Sequence, residues 1–244
     1  MSRITRFLQL LIFIVLLAAV CVGFTTYHCQ KDERFVSYTC APENITMHFR
    51  DNDGNRIGNL KNLKNIYQNK GEKLLFAMNG GMYNPERTPL GLYIENGKTV
   101  SEINTKGGEG NFYMKPNGIF YVDTNHKAFV TTTQAYKGND GTKYATQSGP
   151  MLVIDGNIHP QFKQGSKNTN IRNGVGILPD GRVILAMSKK KINFYDFAVY
   201  FKELGCKNAL YLDGLVSRTY APSESWIQEG GRFGVIIGVS EKNN

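Results

Sequence analysis

The sequence predicts an α+β domain in which mostly antiparallel or mixed β-sheets carry a few packed helices. Three observations lead there. Short apolar runs recur between Asp-Gly, Asn-Gly and Pro-Asn-Gly turn signals. Apolar residues fall at helical spacing in only two stretches. From Phe35 onward no linker, low-complexity tract or repeat interrupts the pattern, so it reads as a single domain.

The elements follow in order. Residues 45–50 alternate apolar and polar and run into Asp51-Asn52-Asp53-Gly54-Asn55. That run resembles the start of a calcium loop, but the position for the bidentate Glu is Asn62, so a hairpin-type turn is the better reading. Leu60, Leu63, Ile66 and Tyr67 share a helix face, with Asn59 as N-cap and Gly71 as the stop. Residues 73–78 form a short apolar strand. Residues 92–94 and 99–103 flank Asn96-Gly97, and residues 112–115 and 119–122 flank Pro116-Asn117-Gly118, so both pairs read as hairpins. Residues 151–154 precede Asp155-Gly156, and residues 175–178 and 182–187 bracket Pro179-Asp180-Gly181. Phe194, Phe197, Ala198, Phe201 and Leu204 give the clearest helix, capped by Asn193 and stopped by Gly205. Residues 209–212 and 235–239 are the last strands.

Composition bounds the function. A chain of 244 residues that is 41% hydrophobic and 11% aromatic is not disordered, and four Cys exclude a disulfide-packed miniprotein. The net charge of +9 favours acidic partners such as phosphates, anionic glycans or anionic lipid. Nucleic acid is ruled down, because no basic run, RNP-like aromatic string or zinc-finger spacing appears. The four His are scattered without HExxH or CxxC, so no metal ion and no cofactor is expected.

Arg3 and Arg6 precede the apolar residues 7–24, the layout of a secretory signal or an uncleaved anchor. Residues 1–27 are therefore assigned to a signal or anchor segment and 28–244 to the functional domain. With the positive residues ahead of the apolar run, the domain belongs outside the cytoplasm, on the periplasmic side. It is membrane-anchored there, or secreted if the segment is cleaved. In that oxidising compartment Cys29 and Cys40 are expected to pair, while Cys206 reads as a small buried hydrophobe.

Standard catalytic templates are missing: there is no GxSxG, no GxxxxGK[ST] and no GxGxxG after a strand. What remains is four strand ends where a polar residue meets glycine. These are Asn79-Gly80-Gly81-Met82-Tyr83-Asn84-Pro85, Gln147-Ser148-Gly149-Pro150, Arg172-Asn173-Gly174-Val175-Gly176 and Tyr211-Leu212-Asp213-Gly214. Glycines past a strand let backbone N–H groups approach an anion. An Arg opening a strand offers a two-pronged phosphate contact. Asp213 puts a carboxylate at the end of an apolar strand.

These blocks, together with Pro89-Leu90-Gly91-Leu92-Tyr93, Gly110-Asn111-Phe112 and Lys115-Pro116-Asn117-Gly118, resemble in content and order the phosphodiester glycosidase family. That family includes the lysosomal uncovering-enzyme domain and many bacterial secreted proteins. The resemblance runs from about Phe35 to Val239 and is nearest to the short bacterial branch. It implies hydrolysis of a sugar-1-phosphodiester, releasing free sugar and a phosphomonoester, with a phosphorylated glycan or small sugar phosphodiester as partner. Because phosphate departs as a stable anion, the site needs a cation and N–H groups for it, and a carboxylate for the oxocarbenium-like centre or attacking water.

The candidate catalytic residues are Asp213, Arg172 and Asn79. Gly80, Gly81, Asn84, Ser148, Gly149, Asn173, Gly174, Gly214 and Ser217 form the substrate-binding set, and Glu86, Glu109 and Asp196 are reserve carboxylates. An Arg beside Asp213 would keep it ionised. After Asp-Gly, Leu215-Val216-Ser217-Arg218 departs from the family's small residues and paired serines. The rival reading is a non-catalytic module that binds anionic envelope glycans or phosphate-bearing head groups.

Overall fold

The computed structural model describes residues 32–138, 141–214 and 216–242. The segment 7–24 and Cys29 lie outside them. Among the described residues 16 strands form three antiparallel sheets, and two α-helices accompany them. The first sheet runs, edge to edge, β1 (Phe35–Cys40), β12 (Val183–Ser188), β11 (Asn173–Ile177), β13 (Ala209–Asp213), β9 (Met151–Ile154) and β10 (Asn157–Ile158). The second runs β15 (Trp226–Ile227), β14 (Thr219–Ala221), β3 (Glu72–Asn79), β16 (Ile236–Lys242) and β2 (Ile45–His48). The third runs β5 (Lys98–Ser101), β4 (Tyr93–Glu95), β8 (Thr142–Ser148), β6 (Gly118–Asp123) and β7 (Ala128–Thr132).

Alternation along these strands builds the core. Val36, Val175, Leu185, Leu210 and Leu212 of the first sheet meet Met47, Phe76, Met78 and Ile237 of the second and Tyr93, Phe120 and Val122 of the third in one buried cluster. The helices cover outer faces. Helix α1 (Leu60–Asn69) lays Leu60, Leu63 and Tyr67 over Leu74, Ala77 and Ile236. Helix α2 (Phe194–Glu203) lays Phe194, Phe197, Ala198 and Phe201 over Leu152, Ala186 and Ala209.

Both expected N-caps form. Asn59 accepts the Asn62 N–H and Asn193 the Asp196 N–H, each at 2.8 Å. Gly71 and Gly205 sit at φ 72° and 81° after the helices, a conformation that favours glycine. Asn96 and Gly97, at φ 50° and 77°, make the two-residue hairpin turn between β4 and β5. The Asp51 segment is a turn: its carboxylate accepts the N–H groups of Asp53 and Asn55, and Arg50 and Arg56 bridge across its base.

One expected hairpin does not form. Residues 112–115 are not a strand; Asn111–Tyr113 is a 3-10 turn, and Gly118 opens β6. Asn117 is buried and donates to the Phe112 carbonyl, while its own carbonyl accepts Thr133 N–H. Long-range bonds therefore fix this segment where local turn chemistry suggests a reversal.

Candidate active site

Three strand ends meet where the first two sheets join. Asn173 opens β11, Asp213 ends β13, and the two are register partners; Asn79 ends β3 in the other sheet. Side-chain amides join them. Asn173 Oδ1 accepts the Asp213 N–H at 2.8 Å, and Asn173 Nδ2 donates to the Asn79 carbonyl at 2.8 Å and to Asn79 Oδ1 at 3.1 Å. Asn79 Oδ1 also accepts the Arg218 N–H at 3.0 Å. With two donors on Oδ1, the Asn79 amide has one sensible orientation, and its Nδ2 donates to Asp213 Oδ2 at 3.1 Å. Asp213 Oδ1 takes the Gly214 N–H at 2.6 Å. Asn79 and Asn173 are fully buried and Asp213 is 7% exposed, and groups so buried need these partners.

The backbone around Asp213 is braced as well. Ser148 Oγ donates to the Leu212 carbonyl and Ser217 Oγ to the Asp213 carbonyl, both at 2.8 Å. Asp213 and Gly214 open onto a pocket of about 290 Å³ lined also by Tyr83, Glu109, Asn111 and Tyr113. A Cβ at Gly214 would collide with the Tyr211 hydroxyl, so only glycine fits there. Burial raises the Tyr83 phenol above its ordinary value and the Asp213 charge adds to it, while Arg87 and Arg232 act the other way.

Arg172 is placed differently from the sequence expectation. It is fully buried, and four of its guanidinium N–H groups are committed. Nε donates to the Ile192 carbonyl at 2.8 Å, and Nη2 donates to the Asn168 carbonyl and Oδ1 at 3.0 and 3.2 Å. Nη1 donates to the Tyr211 hydroxyl at 3.3 Å. The guanidinium carbon stacks 3.6 Å from the Phe194 ring centre. With at most one of five donors left and no exposed surface, it cannot grip a phosphate two-pronged in this conformation. Its charge instead acts on Tyr211, two residues before Asp213. Burial pushes that phenol well up, Arg172 draws it down and Asp213 raises it.

The glycines after Asn79 also serve another end. Gly80 N–H is bonded to the Val235 carbonyl at 2.9 Å, and a Cβ there would stand 2.7 Å from Ile237 Cγ1. A Cβ at Gly81 would stand 2.5 Å from Thr146 Oγ1. Gly80 thus lets the chain pass close to β16 of its own sheet and Gly81 lets it pass β8 of the third, and with the Gly80 N–H spent on Val235 the expected N–H cradle for an anion at Gly80 is absent. Asn84 closes its own turn through Thr88. Gly149 and Gly174 are buried in the packing.

Of the expected set, then, Asp213, Gly214 and the reserve carboxylate Glu109 line the pocket, and Asn79, Asn173, Ser148 and Ser217 support Asp213 from behind. Tyr83, Asn111 and Tyr113 also line it but show no chemical signature in the sequence beyond lying in or beside the family-like blocks. Tyr211 sits in an apolar strand and reads as core. Among the described residues no group of three or more His, Cys, Asp or Glu is placed to hold a metal ion.

A family model described as phosphodiester glycosidase matches residues 72–232. The chain belongs to the phosphodiester glycosidase family. It is 37% identical over 209 residues to uncharacterized protein YigE of Escherichia coli, covering 84% of this chain and 82% of that protein. Its fold is similar to the zebrafish N-acetylglucosamine-1-phosphodiester alpha-N-acetylglucosaminidase catalytic domain, auto-inhibited by its pro-peptide. That match has a TM-score of 0.59 at 14% identity, over 87% of this chain and 85% of that one.

Proposed function

We propose that this phosphodiester glycosidase hydrolyses a sugar-1-phosphodiester at the Asp213 pocket, releasing free sugar and a phosphomonoester. The observation that carries the reading is the held carboxylate: Asp213 accepts N–H bonds on both oxygens and still opens onto the pocket. A carboxylate so held is an acceptor, suited to support an oxocarbenium-like carbon or to take the proton of an attacking water. The bond from the anomeric carbon to the phosphate oxygen breaks, its electron pair leaves on the phosphate, and water supplies the new hydroxyl. Arg172 contributes from behind the site, as a fixed charge acting through Tyr211.

Asp213→Asn tests this directly. Turnover of a sugar-1-phosphodiester by the purified chain is expected to fall about 10²–10⁴-fold or more, with diester binding retained. A fully active Asp213→Asn protein overturns the assignment. A wild type that binds such diesters without cleaving any of a panel of sugars supports the non-catalytic envelope module instead.

We also place the domain, residues 28–244, outside the cytoplasm, behind the basic and apolar segment 1–27. Cys40 ends β1, buried, and burial, with Glu43 adding, pushes its thiol up to about 12. The pairing with Cys29 involves a residue outside those described. A Cys29–Cys40 bridge would add roughly 2–3 kcal/mol. Cell fractionation checks export, which recovery of the domain only in the cytoplasm rejects, and non-reduced peptide mass spectrometry of the chain checks the bridge, which free thiols reject.

A further inference from the structure

Three linked loops gather arginines that have no acidic partner among the described residues. Arg50 and Arg56 face each other across the base of the Asp51 turn, and their guanidinium carbons lie 4.8 and 5.8 Å from the Phe49 ring centre. Arg56 Nη2 donates to the Glu86 carbonyl at 2.8 Å, which ties this turn to the next loop. There Arg87 sits at φ 60°, its Nη1 3.6 Å from where a Cβ on Gly58 would be. A Cβ on Gly234 would stand 2.9 Å from Tyr83 Cβ and 3.2 Å from the Arg87 carbonyl, so the third loop, which carries Arg232, closes against both.

Among the described residues none of these four arginines forms an ion pair. Asp51 holds the N–H groups of its own turn and Glu95 bonds to Tyr93 and the Phe49 N–H, and among the described residues the carboxylates of Asp53 and Glu86 form no ion pair. Arg56 Nε is buried and has no hydrogen-bond acceptor. Burial lowers the Arg56 guanidinium from its ordinary value, and the Arg87 and Arg50 charges lower it further. Like charges held together, with an N–H lacking an acceptor, are what a multivalent oxyanion would relieve.

We propose that Arg50, Arg56 and Arg87, with Arg232 at the rim, form a second anion subsite that takes a phosphate-bearing group on the leaving side of the substrate. Tyr83 links the two places: it lines the pocket, closes with the Arg87 carbonyl against Gly234, and feels the Arg87 and Arg232 charges. The substrate assignment rests on the hydrolase reading of the pocket, whereas anion binding by the arginines does not.

Inorganic pyrophosphate is the probe, titrated calorimetrically into the full-length chain in detergent. Saturable binding is expected, at least tenfold weaker in Arg56→Gln and in Arg87→Gln and unchanged in Arg182→Gln, whose arginine pairs with Asp180 elsewhere. In anion-free buffer Arg87→Gln is expected to melt no lower than wild type, because it removes repulsion. If Arg56→Gln does not fold, the exposed Arg50→Gln replaces it. Absence of saturable binding, or equal binding in the arginine variants, overturns the subsite.

For turnover, kcat/KM should fall more on a sugar-1-phosphodiester ending in a second phosphate than on its methyl ester. Equal losses on both would overturn the leaving-side assignment. An inactive protein that still binds pyrophosphate through Arg56 would sink the hydrolase reading and keep the anion site. Active protein without arginine-dependent binding would do the reverse.

Discussion

Two donors on one oxygen decide how Asp213 is met. Because Asn79 Oδ1 already accepts from Asn173 and Arg218, the Asn79 amide must turn its N–H to the carboxylate. The same accounting reassigns Arg172, whose guanidinium is spent on Ile192, Asn168 and Tyr211. An ammonium cannot replace this fork, so Arg172→Lys should destabilise the fold by roughly 2–4 kcal/mol as well as lower turnover. Urea denaturation checks this. A variant as stable as wild type yet inactive would instead restore direct contact with substrate. In the sequence Arg172 is visible as important, but its role is not, since burial and hydrogen-bond partners are set by residues 20 and 39 positions away.

Elements were legible where local chemistry is strong. The caps at Asn59 and Asn193, the glycine stops and the Asn96-Gly97 turn all form as their residues predict. Asn193 holds α2 at both ends of its amide, accepting the Asp196 N–H and donating to the Asp196 carboxylate. Asn193→Ala should therefore cost about 1 kcal/mol of stability, read by thermal or chemical melting; no loss would show that packing of the Phe197 face alone holds the helix. Strand β8 left no such mark. Its sequence is largely polar, yet Thr146, Gln147 and Ser148 are buried, because β8 lies inside its sheet between β4 and β6. Gln147 is satisfied there by Leu92, Asn104 and Thr133, partners that no local pattern foretells.

At the scale of the whole molecule, acid should open the seam between α1 and the second sheet. His48 on β2 bonds to the Tyr67 hydroxyl at 2.8 Å, and burial, with the Lys70 charge adding, lowers its pKa from 6.5 to about 4. The unfolded chain takes up this proton near 6.5 and the folded chain resists it to about 4. Stability from this site is therefore full above about 6.5, shrinks as pH falls, and is lost through about 4. The contribution is on the order of 2–3 kcal/mol. Comparing denaturation at neutral pH and near pH 4 for wild type and His48→Gln checks it; equal acid sensitivity in the two proteins would assign the effect elsewhere.

By itself the sequence determined the fold class, most turns and both helices, because those follow from propensities and periodicities acting over a few residues. It also marked the three strand ends whose residues meet at Asp213, through glycine and amide blocks that stand out locally. Only the tertiary structure decided what each marked residue touches. Asp213 opens onto a pocket while Arg172 is sealed behind it, Gly80 and Gly81 serve sheet packing, and Arg87 and Arg232 act on Tyr83 from two separate loops. The reason is that burial and charge proximity are properties of chain segments brought together from far apart, and no window along the chain contains both partners.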